Sequence, residues 1–162
     1  MEQPILTNEI ARLSALRAYN ILDTEPEPEY ENVTALASMF CETPFSALTF
    51  IDSSRQWLKS SVGLGTLVCP RSTSFCAHTI RQRGPMIVPD TLRDDRFREL
   101  PYVMRAPRLR FYAGVPIVTG EGYALGALCV MDVVPRAIQA EQVDALSMLA
   151  RQAAFLLLAR KE

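Results

Sequence analysis

Phe111-Tyr-Ala-Gly-Val-Pro-Ile-Val118, then Thr119-Gly120-Glu-Gly122, then Tyr123-Ala-Leu-Gly-Ala-Leu-Cys-Val-Met131: this stretch decides the fold. Two apolar runs of strand length bracket a glycine-rich turn, the pattern of a β-hairpin. The small and apolar residues from Tyr123 to Met131 are uninterrupted, which implies burial on both faces. Downstream, a helix is predicted from about Gln139 to Arg160, with Val143, Leu146, Ala150, Ala153 and Leu157 on its core stripe. Phe155, Leu156 and Leu158 make its last turns apolar nearly all round, so a second partner is expected there.

Upstream, Phe45 to Ile51 and Gln56 to about Val62 form a second hairpin around Asp52-Ser-Ser-Arg55, and Met86 to Val88 is a short strand. Ser72-Thr-Ser74 offers hydroxyl caps for a short helix from Phe75 to about Gln82, which Gly84-Pro85 ends. Residues 90–108 read as an irregular charged segment with one helical turn around Asp94 to Glu99. At the other end, Thr7 or Asn8 caps a helix over about 8–22 carrying Ile10, Leu13 and Leu16. Pro26 and Pro28 break it, and Val33, Leu36, Ala37 and Phe40 mark the core stripe of the next helix. Hairpin-linked strands with helices gathered on one side predict an antiparallel sheet in an α+β sandwich.

At 162 residues the chain fits one domain, and 49% hydrophobic against 22% charged residues is an ordinary globular composition. A formal net charge of -1 argues against general nucleic-acid binding, which needs a surplus of Lys and Arg. No apolar run approaches the roughly twenty residues of a membrane span. The first residues, MEQPILTNEI, do not read as a secretory signal, so the expected location is cytoplasmic, with Cys41, Cys69, Cys76 and Cys129 reduced.

Several stretches, in order, resemble the bacterial GAF domain family: Asn8-Glu-Ile-Ala-Arg-Leu-Ser-Ala-Leu-Arg17, Ile21-Leu-Asp-Thr24, Asp52-Ser-Ser-Arg-Gln-Trp-Leu58 and Val62-Gly-Leu64. Ser74-Phe-Cys-Ala-His-Thr-Ile80, Val88-Pro-Asp90, Asp94-Asp-Arg-Phe97, Arg110-Phe-Tyr-Ala-Gly114 and Leu125-Gly-Ala-Leu-Cys-Val130 continue the match across nearly the whole chain. The resemblance is to the input modules of bacterial sensor histidine kinases and diguanylate cyclases. It implies a single domain over 1–162: a five- or six-stranded antiparallel sheet with helices on one face, and on the other a ligand pocket roofed by the short helix and the irregular loop. No kinase, cyclase or phosphodiesterase motif lies in these residues, so any output activity belongs to another region or a partner.

Candidate chemistry is sparse. Cys76 and His78 pair a nucleophile with a base, but residues two apart on one helix point to nearly opposite faces. The blander reading is a buried small Cys76 and a His78 that fixes a loop or lines the pocket. One histidine and no Cys-x-x-Cys pair give neither a metal nor a haem constellation, and no cofactor is expected. Ala77 separates Cys76 from His78, unlike the adjacent pair of bilin-binding relatives. The enzymatic alternative is a thiol-based redox enzyme resembling free methionine sulfoxide reductase, although that family's Gly-Val-Cys-Gly type motif is absent.

Between 93 and 110 six arginines face three acidic residues, which suits recognition of an anion or else a solvated, internally paired loop. The ligand-site candidates are Trp57, Cys76, His78, Asp90, Arg96, Phe97, Arg110, Phe111 and Tyr112. The function expected is sensing of a small ligand, with an anionic one allowed for, passed to a homodimeric interface of terminal helices and an output domain. A ligand-free dimerisation module is the other alternative.

Overall fold

The computed structural model describes residues 2–65 and 68–161, with side chains over 8–65 and 68–160. It contains helices α1 (Glu2–Ala18), α2 (Pro28–Cys41), α3 (Phe75–Thr79), α4 (Pro101–Met104) and α5 (Ala140–Lys161). Its strands are β1 (Phe45–Ile51), β2 (Arg55–Val62), β3 (Cys69–Pro70), β4 (Met86–Val88), β5 (Phe111–Val118) and β6 (Ala124–Asp132). They form one antiparallel sheet of six, ordered β3-β2-β1-β6-β5-β4, so the predicted α+β sandwich is the one observed.

Alternation along the strands divides the interior into two cores. Leu48, Phe50, Trp57, Phe111, Ala113, Val115, Ile117, Leu128 and Val130 face the long helices and meet Leu16, Val33, Ala37, Leu146, Ala150, Ala153 and Leu157. Ala47, Ile51, Tyr112, Ala127, Cys129 and Met131 face the other way, toward α3 and the segment before β5.

Two register shifts adjust this alternation. Opposite the step from Leu48 to Thr49, β2 carries Lys59 as an extra residue between Leu58 and Ser60. The buried Lys59 ammonium donates to Thr24 Oγ1 (2.8 Å), the Glu25 carbonyl and Glu27 Oε2 (2.6 Å). Together with the Arg55–Asp23 pair (2.7 Å), it pins the connection between α1 and α2 to the sheet. Gly126 is obligatory, because a Cβ there would stand 1.8 Å from the Thr49 carbonyl oxygen.

Several local expectations need correction. Helix α1 runs from Glu2 to Ala18, so positions 7 and 8 lie inside it rather than at its start, and Asn20 takes the left-handed conformation after its end. In α2 the buried residues are Tyr30, Val33, Thr34, Ala37 and Cys41, whereas Leu36 and Phe40 are exposed. α3 stops at Thr79, well before Gln82. The irregular segment is organised by a 3-10 turn at Thr91–Arg93, by the expected single helical turn, in which the Phe97 and Arg98 amides donate to the Asp94 carbonyl at 3.0 and 2.9 Å, and by α4. β3 was not anticipated; two residues carry too little periodicity to be read.

Among the described residues, no helix is long and apolar enough to cross a membrane.

Candidate ligand cavity

On the face away from the long helices, α3 lies over the sheet and encloses a cavity of about 50 Å³. Its floor is Ala47 and Thr49 of β1, Gln56 and Leu58 of β2, Tyr112 of β5, and Cys129 and Met131 of β6. Thr73, Ser74, Phe75 and Cys76 form the roof, while Cys69, Tyr102 and Leu109 close the sides. Among the described residues, no charged side chain lines it.

The roof is held by side-chain bonds that follow from its sequence. Ser74 caps α3 by accepting from the Ala77 amide (3.0 Å) and donates its own proton to Gln56 Oε1 on β2. Tyr112 runs beneath α3: its ring stacks on Phe75 at 5.0 Å, and its hydroxyl pairs with Thr79 Oγ1 (2.7 Å) and lies 3.2 Å from Cys76 Sγ. The ring lies flat because residue 114 is glycine; a Cβ there would come within 2.2 Å of Tyr112 Oη.

Two thiols meet under this roof, Cys76 Sγ and Cys129 Sγ being 3.8 Å apart and both buried. Burial opposes ionisation of Cys76, but hydrogen bonds from Cys129, Thr49 and Tyr112 outweigh it and lower its pKa. Its partner Cys129, which gives up the hydrogen bond and is itself buried, moves well upward. Tyr112 is raised by burial and by the two neighbouring thiols. Cys41 lies in the helix-side core, where burial pushes its thiol to about 11.

The roof is also wired to the helical layer. Arg71, in the 3-10 turn just before α3, donates to both oxygens of Glu9 on α1 (2.7 and 3.2 Å) and to the Asp52 carbonyl. Glu9 in turn accepts from buried Arg12, whose guanidinium reaches the Ile51 carbonyl at 2.8 Å. Burial opposes the charge on Glu9, but the two arginines prevail and hold its carboxyl at about 2.

Of the nine sequence candidates, the structure brings Cys76 and Tyr112 to the cavity. Trp57 and Phe111 do not line it: they sit on the opposite parity of their strands and pack in the helix-side core. Phe97 is fully buried one layer back, against Phe75 at 4.7 Å, with the edge of His78 at 4.9 Å and the Arg96 guanidinium over its ring. Burial, then Arg81 and Arg96, depress the His78 pKa.

Of the arginines in the predicted anion-binding segment, four have partners outside the cavity. Arg96 forms a two-bond pair with Asp94, Arg93 lies 3.8 Å from Asp90, and Arg98 lies 3.4 Å from Asp95. Arg110 donates to the Val103 and Leu109 carbonyls and braces the segment before β5. Asp90 caps the 3-10 turn through the Leu92 amide and borders an open groove of about 520 Å³ with Arg93, Asp94 and Arg136. That groove carries both signs of charge. Internal pairing thus accounts for Arg93, Arg96 and Arg98, while Arg105 and Arg108 are exposed.

Sequence reading missed Thr49, Gln56, Cys129 and Met131. The signal was present in the every-other-residue spacing of 127, 129 and 131, but it was hidden because the intervening residues are equally apolar.

These features define a class: an α+β sandwich with a cavity between a six-stranded antiparallel sheet and a short roof helix. The chain belongs to the GAF domain family, which it matches over residues 5–157. It is 39% identical over 139 residues to a cyclic di-GMP phosphodiesterase of Pseudomonas aeruginosa, covering 86% of this chain but only 24% of that protein. The GAF domain of an Acinetobacter phosphoenolpyruvate-protein phosphotransferase superposes with a TM-score of 0.66 at 14% identity, over 93% of each chain. A type II free methionine-R-sulfoxide reductase of Thermoplasma acidophilum is similar too, with a TM-score of 0.60 at 13% identity over 81% of this chain and 96% of that one. At such identities the likeness is one of fold alone.

Proposed function

We propose that this chain is the regulatory input domain of a cytoplasmic signalling protein, sensing a small uncharged molecule in the cavity beneath α3. The observation that carries this reading is the continuity from roof to helix: the turn that opens α3 holds α1 through Arg71 and Glu9. Ligand pockets usually measure roughly 300–1,000 Å³, so a cavity of about 50 Å³ admits a metabolite only when the roof lifts. Lifting α3 displaces Arg71 and pulls on α1, giving the ligand the differential affinity that a switch requires. An apolar lining with a few hydroxyl and amide groups favours a neutral ligand over the anion that the arginine count suggested. The output in this reading is turnover of cyclic di-GMP, as the 39% identity to the Pseudomonas phosphodiesterase supports.

A thermal-shift screen of neutral metabolites tests it. A ligand at one hundred times its Kd stabilises the native state by about 2.7 kcal/mol, readily seen in Tm. Binding that survives Gln56→Leu and Tyr112→Leu unchanged would place the ligand elsewhere.

A second reading, a ligand-free dimerisation module, has its own observation. Met39 and Phe40 of α2 and Met148 and Phe155 of α5 are 69%, 58%, 54% and 63% exposed on two helices that pack side by side. Pairing of these helices between two copies would bury them. Sedimentation of the chain and of Phe155→Asp decides it: a dimer that becomes monomeric supports helix pairing, and a wild-type monomer refutes it.

A further inference from the structure

We propose that Cys76 and Cys129 form a two-electron redox site, oxidised by hydrogen peroxide to a disulfide that fastens α3 to the centre of the sheet. The inference goes beyond ligand sensing and rests on the arrangement of the thiols alone. Cys129 belongs to β6, paired on both sides by β1 and β5, and cannot move far; Cys76 belongs to a five-residue helix. Their sulfurs stand 3.8 Å apart, and a bond of about 2.05 Å needs an approach of under 2 Å.

The cavity supplies the selectivity. A water-sized molecule needs roughly 10–15 Å³ of such space, so about 50 Å³ accommodates hydrogen peroxide with the roof closed, whereas a bulky organic hydroperoxide enters only when the roof lifts. Cys76, carried by the short helix with the Tyr112 hydroxyl 3.2 Å from its sulfur, is the attacking thiol, and the lowering of its pKa against burial agrees.

The chemistry balances without a further reactant. Cys76 sulfur attacks one peroxide oxygen; the S–O bond forms, the O–O bond breaks, and the other oxygen leaves as water with the thiol proton. Cys129 sulfur then attacks the sulfenic sulfur; the S–S bond forms, the S–O bond breaks, and hydroxide leaves as a second water with the Cys129 proton. The two thiols are oxidised by two electrons in all, and one peroxide is reduced to two waters. Because Arg71 immediately precedes α3 and holds Glu9, the inward pull on α3 reaches α1 by the same route as a ligand.

The test is a thiol map of the reduced chain after brief exposure to hydrogen peroxide, with alkylation under denaturing conditions and peptide mass spectrometry. Two of the four thiols are expected to be lost to a single Cys76–Cys129 link that dithiothreitol reverses, while Cys41 and Cys69 are alkylated. Cumene hydroperoxide, which waits on the roof to lift, is expected to form the same link more slowly. In Cys129→Ser, dimedone should trap a sulfenic acid on Cys76. A wild-type map showing Cys69 in the link, or oxidation without any Cys76–Cys129 bond, overturns the proposal whether or not the variant folds. A ligand found in the screen leaves this outcome unaffected, so the two ideas fail separately.

Discussion

Replacing Glu9 with Gln removes the charge and one of the two acceptor oxygens that join α1 to the cavity roof, and leaves Arg12, 6% exposed, without an anionic partner. The structure sets the size of the effect. The Glu9 carboxyl is held at about 2 against 4.5 for the free side chain. At about 1.36 kcal/mol per pKa unit, that difference is worth at most about 3.4 kcal/mol. Solvent reaches 21% of the Glu9 side chain, and screening reduces the figure to roughly 1–2 kcal/mol.

The sign follows from proton binding. A folded pKa below the unfolded one makes the contribution complete above about pH 5 and progressively lost as pH falls from 4.5 toward 2. Urea unfolding of wild type and Glu9→Gln at pH 7, 4 and 3 measures it. The variant should be less stable by roughly 1–2 kcal/mol at pH 7, with the gap narrowing at pH 3, where unfolded glutamic acid is protonated. Equal stabilities at pH 7, or a gap that ignores pH, would refute the claim that this pair fastens helix to roof.

Gly114→Ala puts a methyl 2.2 Å from Tyr112 Oη and should cost about 1–3 kcal/mol by overpacking. In a Tyr112→Ala background the same change should cost far less, which a double-mutant cycle in urea measures. For His78, burial together with Arg81 and Arg96 holds the folded pKa below 6.5, so the unfolded state takes up the proton first. Stability should therefore fall as pH drops through 6.5, and thermal unfolding of His78→Gln should lack that component of the slope. Gly126→Ala drives a methyl into the Thr49 carbonyl at 1.8 Å, where only backbone can yield; soluble expression and circular dichroism should report loss of the fold.

Where apolar runs end in turn chemistry, the elements were legible. Phe45–Ile51, Met86–Val88 and Phe111–Val118 have the bounds that their residues imply, and α5 is displaced by a single residue. Reading failed where two faces are equally apolar. Seven consecutive residues of β5 are buried, so composition does not say whether Phe111 or Tyr112 points to the cavity. Parity is fixed only by pairing with β6 and by the helices behind it, which is why Trp57 and Phe111 were assigned to the wrong face. In α2, Leu36 and Phe40 fit a helical period as well as Tyr30, Thr34 and Cys41 do; burial against α5 and the sheet decides between them. The cavity's thiol pair joins residues 53 positions apart, a contact that no local pattern encodes.

The central claim, that a molecule bound beneath α3 is felt by the helical layer, is tested most directly by NMR titration of the isotopically labelled chain with each neutral compound that raises Tm. The account predicts shifts at Cys76, Tyr112 and Cys129 accompanied, at the same ligand concentration, by shifts at Arg71, Glu9 and Arg12. Shifts confined to the groove around Asp90 and Arg136, or cavity shifts that leave Glu9 and Arg12 unmoved, would contradict it.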